Sequence, residues 1–141
     1  CGSLARMIVK DGEGATKFVT VTVQGAASAP EARQAARAIA NSLLVKTSWF
    51  GGDPNWGRIY DAVGYAGVQV DPDTIEIRLD SFVAVQNGVV ADQTDLTQLE
   101  AVLQQDEFGV RVDLHVGDGT DTVYTCDCSY EYVRINSEYT T

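Results

Sequence analysis

Phe18-Val19-Thr20-Val21-Thr22-Val23, followed by Ser28-Ala29-Pro30-Glu31 and a run of alanines, sets an amphipathic strand directly before an amphipathic helix. Successive side chains of a strand point to opposite faces. Val19, Val21 and Val23 therefore share one face and Thr20 and Thr22 the other, which predicts a half-buried strand over residues 18–23. Ser28 three residues before Glu31 has capping-box spacing, and Pro30 suits a first helical turn. Behind them Ala32, Ala35, Ala36, Ile39, Ala40, Leu43 and Leu44 keep the three-and-four spacing of one buried stripe. So many alanines predict a close approach to whatever that stripe covers.

Upstream, Leu4, Ala5, Met7, Ile8 and Val9 read as the tail of a helix, broken by the glycines of Asp11-Gly12-Glu13-Gly14. Downstream, Asp53-Pro54 predicts a second helix start, with Ile59, Ala62, Val63 and Ala66 on one side and Gly67 as its stop. Ile75, Ile77 and Leu79 alternate as a strand, and residues 82–86 run into Asn87-Gly88, a type I′ hairpin signal. Residues 95–105 carry Leu96, Leu99 and Leu103 at helical spacing. Val110, Val112, Leu114 and Val116 predict a further strand, and Gly117-Asp118-Gly119 turns into another over 122–128. Tyr130, Val133 and Tyr139 predict a short terminal helix. The expected class is α+β with a mostly antiparallel sheet packed with helices, since no alternating β-α-β pattern dominates.

The length, 141 residues, suits a single α+β domain over residues 1–141, and 45% apolar with 21% charged residues is a globular composition. The net charge is −10 and unevenly placed. Residues 1–70 are basic-leaning and helix-rich in the predicted pattern, whereas residues 71–141 are acidic and strand-rich. Such an acidic chain excludes binding to nucleic acid through phosphate neutralisation and docking on an anionic membrane. No apolar run reaches the roughly 20 residues of a membrane span. Three cysteines with no secretory segment favour reduced thiols. Cys126 and Cys128, two apart on the predicted strand, point to one face and suit no disulfide.

Two loop strings carry chemistry. Asp11-Gly12-Glu13-Gly14-Ala15-Thr16-Lys17 projects Glu13 between glycines that let the backbone approach a ligand, and matches neither a Walker loop nor a dinucleotide fingerprint. Read alone, its turn chemistry favours a plain helix-to-strand connection. Gly51-Gly52-Asp53-Pro54-Asn55-Trp56-Gly57-Arg58 leads into a helix whose free N–H groups can hold a carboxylate; alternatively Asp53 caps and Trp56 packs. His115, read into the strand that ends at Val116, stands opposite its apolar series. With Cys126 and Cys128 it fits no zinc-ligand spacing, so no metal is expected.

Together these strings are far more specific than singly. Ile8-Val9-Lys10-Asp11-Gly12-Glu13-Gly14-Ala15-Thr16-Lys17-Phe18 resembles a hallmark of the ornithine acetyltransferases, glutamate N-acetyltransferases of arginine biosynthesis. The resemblance continues through Ala38-Ile39-Ala40-Asn41-Ser42, Leu44-Val45-Lys46-Thr47 and Asp53-Pro54-Asn55-Trp56-Gly57-Arg58-Ile59. It returns in Tyr132-Val133-Arg134-Ile135-Asn136 and Glu138-Tyr139-Thr140-Thr141.

This resemblance implies an N-terminal-nucleophile-like enzyme made as a precursor that cuts itself, exposing a threonine at the start of its β chain. That threonine carries acetyl from N-acetylornithine to glutamate. The nucleophile is expected upstream of Cys1, so the 141 residues are expected to be the C-terminal part of the β chain, inactive alone, with no catalytic residue in this chain. Glu13, Asn136 and Thr141 match substrate-binding positions: a carboxylate for a substrate amine, an amide and a hydroxyl for an α-carboxylate. The implied partners are the α chain and the remainder of the β chain in an α2β2 hetero-oligomer. No cofactor is implied, with acetyl-CoA as an alternative donor, and the setting is cytoplasm, or mitochondrial matrix in a eukaryote. Two readings of other classes stay open. One is an acidic binding or assembly domain without chemistry, the other an amidase using Cys1 as an N-terminal nucleophile.

Overall fold

The computed structural model describes residues 15–92 and 95–128. Within them six strands form one mixed sheet: β1 (Phe18–Ala26), β2 (Glu76–Leu79), β3 (Phe82–Gln86), β4 (Val89–Val90), β5 (Glu107–Asp113) and β6 (Gly119–Cys126). The helices are α1 (Ala29–Ala40), α2 (Leu43–Phe50), α3 (Trp56–Tyr65) and α4 (Leu96–Leu103). The strand order is β4-β3-β2-β5-β1-β6. β1 runs parallel to β5, with Val21 opposite Val110. The other pairings, β1 with β6, β2 with β3 and β5, and β3 with β4, are antiparallel. The α+β class with a mostly antiparallel sheet is thus the observed one, and no described helix is long and apolar enough to cross a membrane.

The valine face of β1 explains the layering. Val19, Val21 and Val23 have no exposed surface, and each contributes about 1.5–3 kcal/mol by leaving water. They are covered by α1, which lies on β1 and β6 and turns Ala32, Ala35, Ala36, Ile39 and Ala40 inward. Small side chains let the helix settle close to the sheet. At its start the approach is tight enough that a Cβ on Gly119 would run into the Ser28 backbone. Ser28 Oγ accepts the Glu31 N–H at 3.3 Å, closing half of the expected capping box. The Glu31 side chain takes up the Gln69 N–H at 2.9 Å. α3 packs on α1, and Leu99, Val102 and Leu103 of α4 join the same apolar cluster. The Asn87-Gly88 turn has both residues at positive φ, as a type I′ hairpin requires.

Four expectations are corrected. The stripe of α1 does not run through Leu43 and Leu44, which are 61% and 63% exposed. Ser42 intervenes: its Oγ accepts the Val45 N–H at 3.3 Å and caps a new helix, which buries Val45, Ser48 and Trp49 instead. α3 is capped by Asn55, whose Oδ1 accepts the Arg58 N–H at 3.3 Å, and not by Asp53. β5 stops at Asp113, because the Asp113 carboxyl accepts the His115 N–H at 2.9 Å and turns His115 to φ +52. β6 ends at Cys126, so Cys128 is not on the strand. The expected elements over residues 4–9 and 129–139 lie outside the described residues.

Candidate functional site

The end of the sheet where β1 begins and β6 finishes gathers the loop strings. Cys126 pairs with Phe18, which sets the next residue, Asp127, beside Thr16 and Lys17. The Asp127 side chain is wholly buried. Its Oδ1 accepts the Thr16 N–H at 2.8 Å and the Lys17 N–H at 3.0 Å, and its Oδ2 accepts the Thr16 hydroxyl. The Asp127 N–H in turn donates to the Lys17 carbonyl at 3.3 Å, carrying the β1–β6 ladder one step past its last pair. Ala15, Thr16, Lys17, Phe18 and Asp106 line an open cavity of about 250 Å³ on this end.

The Cys128 N–H donates to the Lys46 carbonyl at 3.2 Å, which ties the same corner to α2. α2 is held from below by the buried Val45, Ser48 and Trp49. The Trp49 ring meets Phe108 of β5 edge-on at 5.9 Å between centroids. Arg58 then joins α3 to α2, donating through Nη1 to the Leu44 carbonyl at 2.7 Å and to Thr47 Oγ1 at 3.4 Å. Asn55 Nδ2 donates to Asp53 Oδ2 at 3.4 Å, steadying the turn before α3. From the helix side, Thr125 Oγ1 donates to the Ala40 carbonyl at 3.0 Å. Residues 15–18, 38–42, 44–47 and 53–59, far apart in the chain, are thereby linked through residues 125–128 and Arg58.

Lys17, Lys46 and Arg58 sit on these linked segments, together with the carboxylates of Asp127 and Asp106. Burial pushes the Cys126 thiol up from its usual range; Lys46 pulls it back, and Asp127 and Cys128 reinforce the rise.

Glu13, Asn136 and Thr141 lie outside the described residues, as does Cys1. What is described is the attachment of the segments that bear them: Thr16 and Lys17 just downstream of Glu13, and Asp127 and Cys128 just upstream of the tail. His115 and the cysteines are not brought together. β6 pairs with β1 and not with β5, and Cys126 lies opposite Phe18, whereas the residues around His115 bond to the far end of β1, at Gln24 and Gly25. Asp127, Lys46 and Arg58 are the residues that sequence reasoning missed as connectors. The available signal for Asp127 was an acid between two cysteines at the end of a strand, a position where burial demands partners.

The sequence model of the ArgJ family matches residues 1–141. The chain is 58% identical over 139 residues to the arginine biosynthesis bifunctional protein ArgJ of Geobacter sulfurreducens, covering 99% of this chain and 35% of that protein. It is 51% identical over 148 residues to the glutamate N-acetyltransferase of Methanocaldococcus jannaschii, covering 100% of this chain and 37% of that one. Among solved structures, the arginine biosynthesis bifunctional protein argJ of Bacillus halodurans superposes with a TM-score of 0.94 at 42% identity, over 99% of this chain and 65% of that chain. The chain spans about a third of the length of the curated relatives it matches. With its strings joined at one corner and its whole length matched, the chain belongs to the ArgJ family.

Proposed function

We propose that this chain is the C-terminal part of a glutamate N-acetyltransferase that moves acetyl from N-acetylornithine to glutamate. The observation that carries the reading is the corner where Asp127 and Lys46 hold the segments leading to Glu13 on one side and to Asn136 and Thr141 on the other. Thr16 and Cys128, the described residues nearest to Glu13 and to the tail with Asn136 and Thr141, are thus tied to one corner.

The chemistry is a two-step acyl transfer through an enzyme ester. A threonine hydroxyl outside this chain attacks the acetyl carbonyl of N-acetylornithine. The amide C–N bond breaks, and the hydroxyl proton ends on the departing ornithine amine. The α-amine of glutamate then attacks the ester, the C–O bond breaks, and the threonine hydroxyl is restored. No cofactor enters these steps; acetyl-CoA is an alternative acetyl donor, in keeping with relatives named bifunctional. In this scheme Glu13 pairs with a substrate amine while Asn136 and Thr141 hold an α-carboxylate. The active molecule is an α2β2 assembly of α and β chains working in the cytoplasm, or in the mitochondrial matrix of a eukaryote.

The test is intact-mass measurement of the complete enzyme before and after incubation with N-acetylornithine. One acetyl group gained on a chain beginning with threonine is the expected result, and its absence in an intact preparation sinks the transferase reading. Glu13→Ala in the same enzyme is expected to lower kcat/KM for N-acetylornithine by about 1.5–3 kcal/mol, the range for a charge-assisted hydrogen bond.

A further inference from the structure

We propose that the outer edge of β6 receives an added strand, an extended and acid-bearing segment of the enzyme from outside residues 1–141. The proposal rests on the reading of this chain as part of a longer enzyme, and the chain spans about a third of the length of its curated relatives. β4 and β6 are the two ends of the sheet, and they differ. β4 is two residues long, which blunts that edge. β6 runs for eight, Gly119–Cys126, rich in threonine with Val123 and Tyr124, and holds no proline or lysine to keep a strand away. The irregularity in its pairing with β1 falls between Val23 and Ala26, so Asp121 to Cys126 keep an unbroken register.

That register tells which backbone groups face outward. Opposed residues of an antiparallel ladder alternate between bonded and non-bonded pairs. The Asp127 N–H donates to the Lys17 carbonyl, so Thr125, Val123 and Asp121 are the residues that exchange bonds with β1. The N–H and carbonyl groups of Thr122, Tyr124 and Cys126 therefore point away from the sheet. Among the described residues the Thr122 N–H reaches the Asp121 carboxyl at 2.7 Å, and the Tyr124 and Cys126 N–H groups reach no acceptor. Such a row is a template for one more strand.

Charge selects the occupant. Asp121 lies opposite Val23 and so shares the helix-covered face, where Arg33 Nε donates to its Oδ2 at 2.7 Å. Arg37, one turn further along α1, has no hydrogen-bond or ion-pair partner among the described residues. Ala29, Pro30, Arg33, Gln34, Arg37 and Asp121 line one open cavity of about 460 Å³ beside the edge. A strand added to β6 lies about 5 Å beyond it and turns alternate side chains toward this cavity. Two guanidinium groups against one carboxylate leave a positive charge to be matched, which an Asp or Glu on that face of the added strand supplies. A second copy of β6 would instead bring Arg33 and Arg37 of both copies together, so like charges disfavour it.

The experiment is hydrogen exchange of the complete enzyme, resolved to single amides by fragmenting the β6 peptide in the mass spectrometer. The expected result is exchange at Tyr124 and Cys126 at least about a hundredfold slower than in a free chain, as at Val123 and Thr125. Strict alternation, with Tyr124 and Cys126 fast and Val123 and Thr125 slow, overturns the added strand. Arg37→Glu is expected to speed exchange at Tyr124 at least about tenfold while Val123 stays protected. An unchanged Tyr124 refutes the acidic contact. In Arg37→Lys, a carbodiimide that joins touching amines and carboxyls is expected to link Lys to an Asp or Glu outside residues 1–141. A link only to residues within 1–141, or no link, refutes the assigned occupant. None of these readouts needs turnover, so a failure to take up acetyl sinks the transferase reading without altering the exchange pattern of β6.

Discussion

Replacing Trp49 by alanine removes the largest side chain of the apolar cluster, 1% exposed and set edge-on against Phe108 at 5.9 Å. Burying such a ring and then emptying its place costs about 3–5 kcal/mol. The edge-to-face pair accounts for about 0.5–1.5 kcal/mol of that. Trp49 is the anchor that fastens α2, with Lys46 and Thr47, to β5, so the loss is expected to reach the neighbouring strands. Native-state hydrogen exchange on peptides of β1 and β5 reads it directly. A cost of about 4 kcal/mol speeds exchange about a thousandfold for amides that open only with the core. A double-mutant cycle with Phe108→Ala is expected to return the coupling of about 0.5–1.5 kcal/mol. Acceleration below about tenfold, or a coupling of zero, would refute the claim that this ring pair pins α2 to the sheet.

Gly88→Ala is expected to destabilise by about 2–4 kcal/mol, read as a lowered Tm, because φ is +79° there and a Cβ would run into the Pro72 carbonyl. Asn87→Gly in the same turn is expected to stay within about 1 kcal/mol of the parent. Cys126, whose thiol burial raises above the usual value of 9.0, is expected to react with iodoacetamide at neutral pH more slowly than free cysteine. Lys46→Met is expected to slow it further. A raised pKa in the folded state means that the contribution of this thiol to stability is complete below the unfolded value and is lost as pH climbs through the folded one. Faster alkylation in Lys46→Met would contradict the assigned electrostatics.

The sequence and the structure agree where a local pattern has one physical meaning. Thr20 and Thr22 between valines can only be a strand with one dry face, and Asn87-Gly88 at positive φ is what a two-residue hairpin needs. Ser28 and Pro30 mark a helix start by chemistry that acts within one turn. The misreadings share a cause, a side chain competing with a periodic pattern. Leu43 and Leu44 keep the apolar spacing of α1, but the Ser42 hydroxyl caps a new helix and turns them outward. Val116 keeps the alternation of β5, but the Asp113 carboxyl has already folded the backbone at His115. Asp53 and Asn55 are both good caps, and only the geometry selects Asn55. The connectors of the candidate site were illegible for a different reason. Asp127 and Thr16 meet across almost the whole described chain, and no spacing rule links them. The pairing of β1 with β5 is hidden in the same way, since alternation names a face and never a neighbour.

The place of β1 between β5 and β6 has a consequence for how the chain is made. Phe18 pairs with Glu107 on one side and with Cys126 on the other, so β1 receives both neighbours from strands about 90 and 110 residues later in the chain. Among the described residues, a nascent chain leaving the ribosome therefore carries Val19, Val21 and Val23 with α1 as cover and no ladder partner until β5 emerges. Loop closure over so many residues makes folding slow, and the unpaired strand is adhesive while it waits. The hairpin of β2 and β3 can form early, but it has nothing to dock on before then. Synthesis is thus a stage at which the valine face of β1 has α1 as its cover and its edges still wait for β5 and β6.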